Sequence, residues 1–175
     1  MLIRPETAAD TGAIRRVVAR AFGSEVEADL VDRIRASPGY VAEMALVATV
    51  GGVVVGHVMI SGAVLHHDAG DRPIVMLSPL AVDPDHQRRG VGSALVRAAV
   101  AVADERSEPL VVLEGSPAWY GRLGFEPATR HGLVIHLPDW APSEAAQVLR
   151  LAAYDPGDLT LRGTVVYPPA FDALP

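Results

Sequence analysis

The chain has 175 residues, half of them hydrophobic and 21% charged, and that length and balance suit one folded domain with a real core rather than a disordered polymer. Its formal net charge of −6 disfavours nonspecific binding to nucleic acid or to an anionic membrane, so any anion site has to be local. Cysteine, lysine and asparagine are all absent, which excludes disulfides, thiolate metal centres, an acyl-cysteine intermediate, a Schiff-base lysine and N-linked glycosylation.

Met1 to Asp10 lacks the apolar stretch of a secretory leader, and the expectation is a cytoplasmic protein. Ile3-Arg4-Pro5 predicts a short strand. Thr7 and Asp10 then stand at capping-box spacing, and Ile14, Val17, Val18 and Ala21 follow at helical spacing. Ser24 is placed to cap a second helix over Glu25 to Ala36, with Val26, Leu30 and Ile34 on one face and Pro38-Gly39 stopping it. Met44 to His67 carries no formal charge and is long enough to resemble a membrane span. Gly51-Gly52 divides it, however, into two runs rich in β-branched residues, which is the pattern of a hairpin of buried strands.

After a polar connection from His66 to Arg72, Ile74 to Val82 predicts a strand with an irregularity. Pro79 has no N–H for the ladder, so it implies an edge or a bulge. The segment Gln87-Arg88-Arg89-Gly90-Val91-Gly92 separates that strand from a helix running from Gly90 to about Asp104, marked by Val91, Leu95, Ala99 and Val102. A loop that opens a helix presents unpaired N–H groups and the positive end of the helix dipole, and glycine lets a ligand approach the main chain. With two arginines alongside, this is an anion cradle suited to a pyrophosphate.

Leu110 to Leu113 predicts a short strand, parallel to the previous one through the helical crossover. Ser116-Pro117 opens a short helix that Gly124 ends before Phe125. Beyond Glu126 the pattern is weaker. Trp140-Ala-Pro-Ser-Glu reads as a turn of helix, Ala145 to Tyr154 fits neither period, and Thr164 to Tyr167 reads as a terminal strand ended by Pro168-Pro169. No repeat or linker is visible, so the expectation is one domain over residues 1–175, with 131–175 as a C-terminal extension.

Leu95 stands where a Rossmann fingerprint needs a small residue, and a Walker loop needs lysine, so both are rejected. What remains is Gln/Arg-x-x-Gly-x-Gly after an irregular strand, and this resembles the coenzyme A site of the GNAT N-acetyltransferase superfamily. Tyr120-Gly121-Arg122-Leu123-Gly124-Phe125 resembles that family's Tyr-x-x-x-Gly-Phe element, and the order of elements agrees from residue 1 to about 130. The tail, Gly163 to Phe171, is similar to a YhbS-type branch.

The resemblance implies an α/β fold whose mixed, mostly antiparallel sheet is splayed at a bulged central strand and flanked by helices. It implies acetyl-CoA as cosubstrate and direct attack of an amine acceptor, a small molecule or a peptide, on the thioester. Main-chain groups of Leu80, Ala81 and Val82 would hold the pantetheine arm, and a Leu80 N–H would polarise the thioester carbonyl. The N–H groups of Arg89, Gly90, Val91, Gly92 and Ser93 would hold the pyrophosphate, with Gln87 in the same cofactor-binding set and either Arg88 or Arg89 pairing with a phosphate oxygen or both simply solvated. Tyr120 is carried over as the group facing the departing thiolate. A phenol at about 10 against a thiol at about 8.5 makes full proton transfer uphill by about 2 kcal/mol, which favours a hydrogen-bond role; a purely packing tyrosine is the other reading. Homodimerisation is a further family-level expectation.

An amine is protonated at neutral pH, so a proton acceptor is needed. Glu114, at a strand end near the expected thioester, is taken as the catalytic carboxylate beside Tyr120. Glu25 and Glu27 sit at a helix start, where acids commonly stabilise the dipole; Ser78 and relay through water are the remaining alternatives. His66-His67-Asp68 reads as a loop, with no metal expected. The sequence departs from the related branch at Ser116, where an acid is common, and at Trp119, where a tyrosine is common, which leaves the acceptor open. A noncatalytic acyl-CoA sensor or interaction module is the alternative function.

Overall fold

The computed structural model describes residues 1–174, and the chain divides into two units that share the two longest strands. One unit comprises Met1–Ser61, Leu77–Val102 and the end of the chain from Pro169; the other comprises Gly62–Met76 and Ala103–Pro168.

The first unit contains β1 (Leu2–Pro5), helices α1 (Thr11–Phe22) and α2 (Val26–Arg35), β2 (Ala45–Val50), the first part of β3 (Val53–His66), the last part of β4 (Arg72–Val82) and most of α3 (Val91–Glu105). The Thr7 N–H donates to the Asp10 carboxylate at 2.8 Å, setting a single 3-10 turn from which α1 departs. Ile14, Val17 and Val18 of α1 and Ala28, Leu30, Val31 and Ile34 of α2 are buried, which is the apolar stripe read from the spacing. β1 lies antiparallel to β2 with Ile3 opposite Ala48. Gly51 and Gly52 take φ of 58° and 81°, the left-handed pair of a tight hairpin turn, and join β2 to β3 antiparallel with a register shift between Ala48 and Thr49. The uncharged stretch is therefore two strands, and among the described residues no helix is long and apolar enough to cross a membrane.

Gly56 of β3 matters to the placement of α3. A Cβ there would lie 2.9 Å from Leu95 Cδ1, 3.1 Å from Val91 Cγ1 and 3.3 Å from the Ala81 carbonyl, so the missing side chain is what lets the first turns of α3 rest on β3 beside β4. Along α3 the buried positions are Val91, Leu95, Val96, Ala99 and Ala103; Val102, expected on this face, is half-buried, because a 3.6-residue period carries the stripe to Ala103.

The second unit adds β5 (Leu110–Glu114), the one-turn α4 (Pro117–Tyr120), β6 (Glu126–Pro127), β7 (Leu133–Val134), β8 (Ala146–Arg150) and β9 (Gly163–Val166). The start of β4 runs parallel to β5, with Val75 opposite Val111 and Met76 opposite Val112. β8 is antiparallel to β5 along its whole length and carries β6 on its other side. Of the undecided segment from Ala145 to Tyr154, Ala146–Arg150 is thus a strand. Its Ala146, Gln147 and Val148 are consecutively buried, covered on both faces, which is why neither period showed in the sequence. The end of β3 pairs antiparallel with β9, Val64 opposite Val166, and β9 pairs parallel with β7.

The sheet is thus mixed and mostly antiparallel, with helices packed on it. Pro79 lies beyond the last pair of β4 with β5, Met76 opposite Val112, and is buried after a cis peptide bond from Ser78.

Candidate active site

In the first unit the last residues of β4 alternate in exposure. Pro79 and Ala81 point inward, while Ser78, Leu80 and Val82 are half-buried on the other face, as a strand's period of two requires. Asp83 then ends the strand. Its N–H donates to the Val55 carbonyl at 2.9 Å, and its carboxylate accepts from Arg20 at 2.7 Å and from the Asp85 N–H at 3.0 Å. The Gln87 side-chain amide donates to the Val82 carbonyl at 3.0 Å, so it pins the loop to the strand end. Arg88 takes φ 59° and Gly90 φ 83°, turning the chain into α3. The helical ladder starts with the Ala94 N–H donating to the Gly90 carbonyl at 3.0 Å. The N–H groups of Val91, Gly92 and Ser93 lie ahead of it at the open helix end, with exposed Arg88 and Arg89 alongside. Every residue expected in the cradle is on the strand end, on this loop or in the first turn of α3.

In the second unit β5 ends at exposed Glu114. The Gly115 N–H donates to the Ala145 carbonyl at 2.9 Å, and the buried Gln147 amide donates to the Gly115 carbonyl at 3.0 Å. A Cβ at position 115 would fall on the Tyr120 ring, 2.8 Å from Cδ2, so the ring occupies space that only glycine leaves free. Trp119 and Phe125 hold that ring edge-on, at centroid distances of 4.6 and 5.6 Å. Burial pushes the Tyr120 phenol up to about 12, which makes outright proton donation to a thiolate steeper and leaves a hydrogen-bond donor. The Tyr167 hydroxyl donates to the Glu114 carboxylate, and burial, followed by that carboxylate, raises the phenol well above its ordinary value.

The description "Acetyltransferase (GNAT) domain" matches residues 2–128. This chain belongs to the GNAT acetyltransferase family. It is 37% identical over 154 residues to the Escherichia coli K12 protein named "Uncharacterized N-acetyltransferase YhbS", covering 87% of this chain and 88% of that one. The crystal structure of E. coli YhbS in complex with CoA superposes with a TM-score of 0.85 at 34% identity, over 99% of this chain and 93% of that one. A GNAT acetyltransferase from Brucella melitensis, crystallised with acetyl-CoA, gives 0.76 at 28% identity, over 98% and 97%.

Several other residues of this GNAT acetyltransferase have local engagements. Glu25 pairs with Arg15 at 2.9 Å and Glu27 accepts from the Ser24 hydroxyl at 2.7 Å, both at the start of α2. His66 pairs with Asp71, and His67 Nδ1 accepts from the Ala69 N–H at 3.0 Å, each closing the loop between β3 and β4. Ser116 is exposed at the start of α4.

Sequence reasoning missed a buried cluster in the first unit. His57, fully buried on β3, donates from Nε2 to Glu6 Oε2 at 2.8 Å; Arg35 Nε and the Tyr40 hydroxyl donate to Glu6 Oε1 at 2.8 and 3.0 Å. Burial by itself would raise the Glu6 carboxyl, but His57 and Arg35 outweigh it and hold the group at about 2. Tyr40 is pushed up to about 12, by burial first and by Glu6 second. Sequence reasoning also left Tyr167, Gly115 and Gln147 without a role. The glycine between a strand and a Ser-Pro helix start was the one visible signal among these.

Proposed function

We propose that the whole chain works as one acetyltransferase domain that moves an acetyl group from acetyl-CoA straight to an amine. The observation that supports this most is the open amino end of α3: Gly90 at φ 83°, three N–H groups ahead of the first ladder bond, and the half-open edge of Leu80 and Val82 leading into it. A diphosphate fits the N–H groups of residues 89–93. An extended amide arm fits the main chain of Leu80, Ala81 and Val82, pairing as an added strand does. Gln87 acts from behind, by fixing the loop to Val82.

In this reading the amine nitrogen forms the new C–N bond, the C–S bond breaks, and Glu114 takes the amine proton. Tyr120 gives a hydrogen bond to the departing sulfur, whose proton comes from solvent. No enzyme-bound acyl group is needed, in keeping with the absence of cysteine. The acceptor is a small-molecule or peptide amine, and the cytoplasmic location and a homodimer belong to the same reading.

Free-thiol release from acetyl-CoA across a panel of polyamines, arylalkylamines, aminoglycosides and lysyl peptides tests it, alongside calorimetry with CoA. Turnover with at least one amine, lost on Tyr120→Phe while CoA affinity holds, is the expected result. CoA binding with no turnover for any amine makes the chain a sensor instead, and no heat with CoA on folded protein ends the proposal.

A further inference from the structure

Tyr167 lies beyond residues 2–128, the part that matches the family description, yet its hydroxyl donates to Glu114 Oε1. Both partners stand at the ends of laddered strands. Glu114 is opposite Ala146 on β8, and the next residue, Gly115, is tied to Ala145 and to the Gln147 side chain. Tyr167 directly follows β9, whose Thr164, Val165 and Val166 register with His66, Leu65 and Val64 of β3. Pro168 restricts the backbone of Tyr167 to extended geometry. The phenol is therefore delivered from a fixed frame, and its raised pKa keeps it a donor across the working pH range.

The carboxylate it meets has the opposite character. Glu114 is exposed, on a side chain with three free torsions, and without a partner such a group sweeps many positions. We infer that Tyr167 is a positioning residue of this acetyltransferase: its hydroxyl occupies one oxygen of Glu114 and so presents the other, Oε2, to the proton of the incoming amine. This rests on the role given to Glu114 above. It assigns to the C-terminal extension a part in orienting the base, a gain of the kind that preorganised geometry supplies.

The test is a four-protein cycle of wild type, Tyr167→Phe, Glu114→Gln and the double variant. Each is assayed with the fastest amine of the panel and with hydroxylamine, a nucleophile already unprotonated at neutral pH. Tyr167→Phe is expected to lower kcat/KM for the amine by about 20-fold. The KM for acetyl-CoA and the melting temperature should stay unchanged, the hydroxylamine rate should fall far less, and Tyr167→Phe should add nothing in the Glu114→Gln background. A full independent loss in that background, or an equal loss with hydroxylamine, overturns the inference and makes Tyr167 a packing residue. Glu114→Gln impaired with Tyr167→Phe fully active overturns the positioning role alone. Glu114→Gln at wild-type rate overturns the base assignment and the inference with it.

Discussion

Two glutamates, each hydrogen-bonded by a tyrosine, show how differently one side chain is used in the two units. The Glu6 side chain is 3% exposed and accepts from His57, Arg35 and Tyr40, so both oxygens are committed. Glu114 is exposed and, among the described residues, its hydrogen bond is the one it accepts from Tyr167 on Oε1. A carboxylate surrounded by donors is held ionised and has no capacity left for a substrate. One held on a single side is oriented and still able to take a proton. On the proposed function, saturation is what separates the structural Glu6 from the base assigned to Glu114.

The comparison breaks first at Glu6. Glu6→Ala leaves buried His57 and half-buried Arg35 without their shared anion, and should cost about 4 kcal/mol in chemical denaturation. Turnover per folded molecule should stay unchanged; a comparable loss of turnover would show that the cluster serves catalysis. The pH dependence of stability checks the same assignment. The folded carboxyl sits at about 2, below the ordinary 4.5, so its contribution is complete above about pH 4.5 and drains away as pH falls toward 2. Wild type should show that acid limb, and Glu6→Ala should show a shallower one.

Glu114→Gln should do the reverse. Stability should move by less than about 0.5 kcal/mol, as for an exposed substitution, while kcat/KM for the amine falls about 100-fold and CoA affinity holds. Calorimetry and steady-state kinetics on one preparation decide it. The smallest effect sharpens the pairing of tyrosines. Tyr40→Phe removes one of three donors to Glu6 and should cost about 1.5 kcal/mol of stability with no kinetic change, the opposite of what is expected for Tyr167→Phe.

How much of this was legible in the sequence follows chain separation. The loop from Gln87 to Ser93 could be read because its chemistry is local: a glycine at φ 83°, a helix start and flanking arginines within one stretch. The Gly51-Gly52 hairpin and the α4 turn were visible for the same reason. Glu6 is 29, 34 and 51 positions from Arg35, Tyr40 and His57, and Tyr167 is 53 from Glu114, so no spacing rule brings them together. β8 was ambiguous because consecutive burial erases periodicity.

The amino-acid order alone settled where the backbone would turn, which faces would be apolar and where a helix would open after a glycine turn, because torsional preference and hydrophobic period act over a few residues. Tertiary structure decided which carboxylate is saturated by donors and which, among the described residues, is held by one tyrosine. Hydrogen-bond capacity is filled by whatever folding brings within about 3 Å, and those partners come from distant strands and helices.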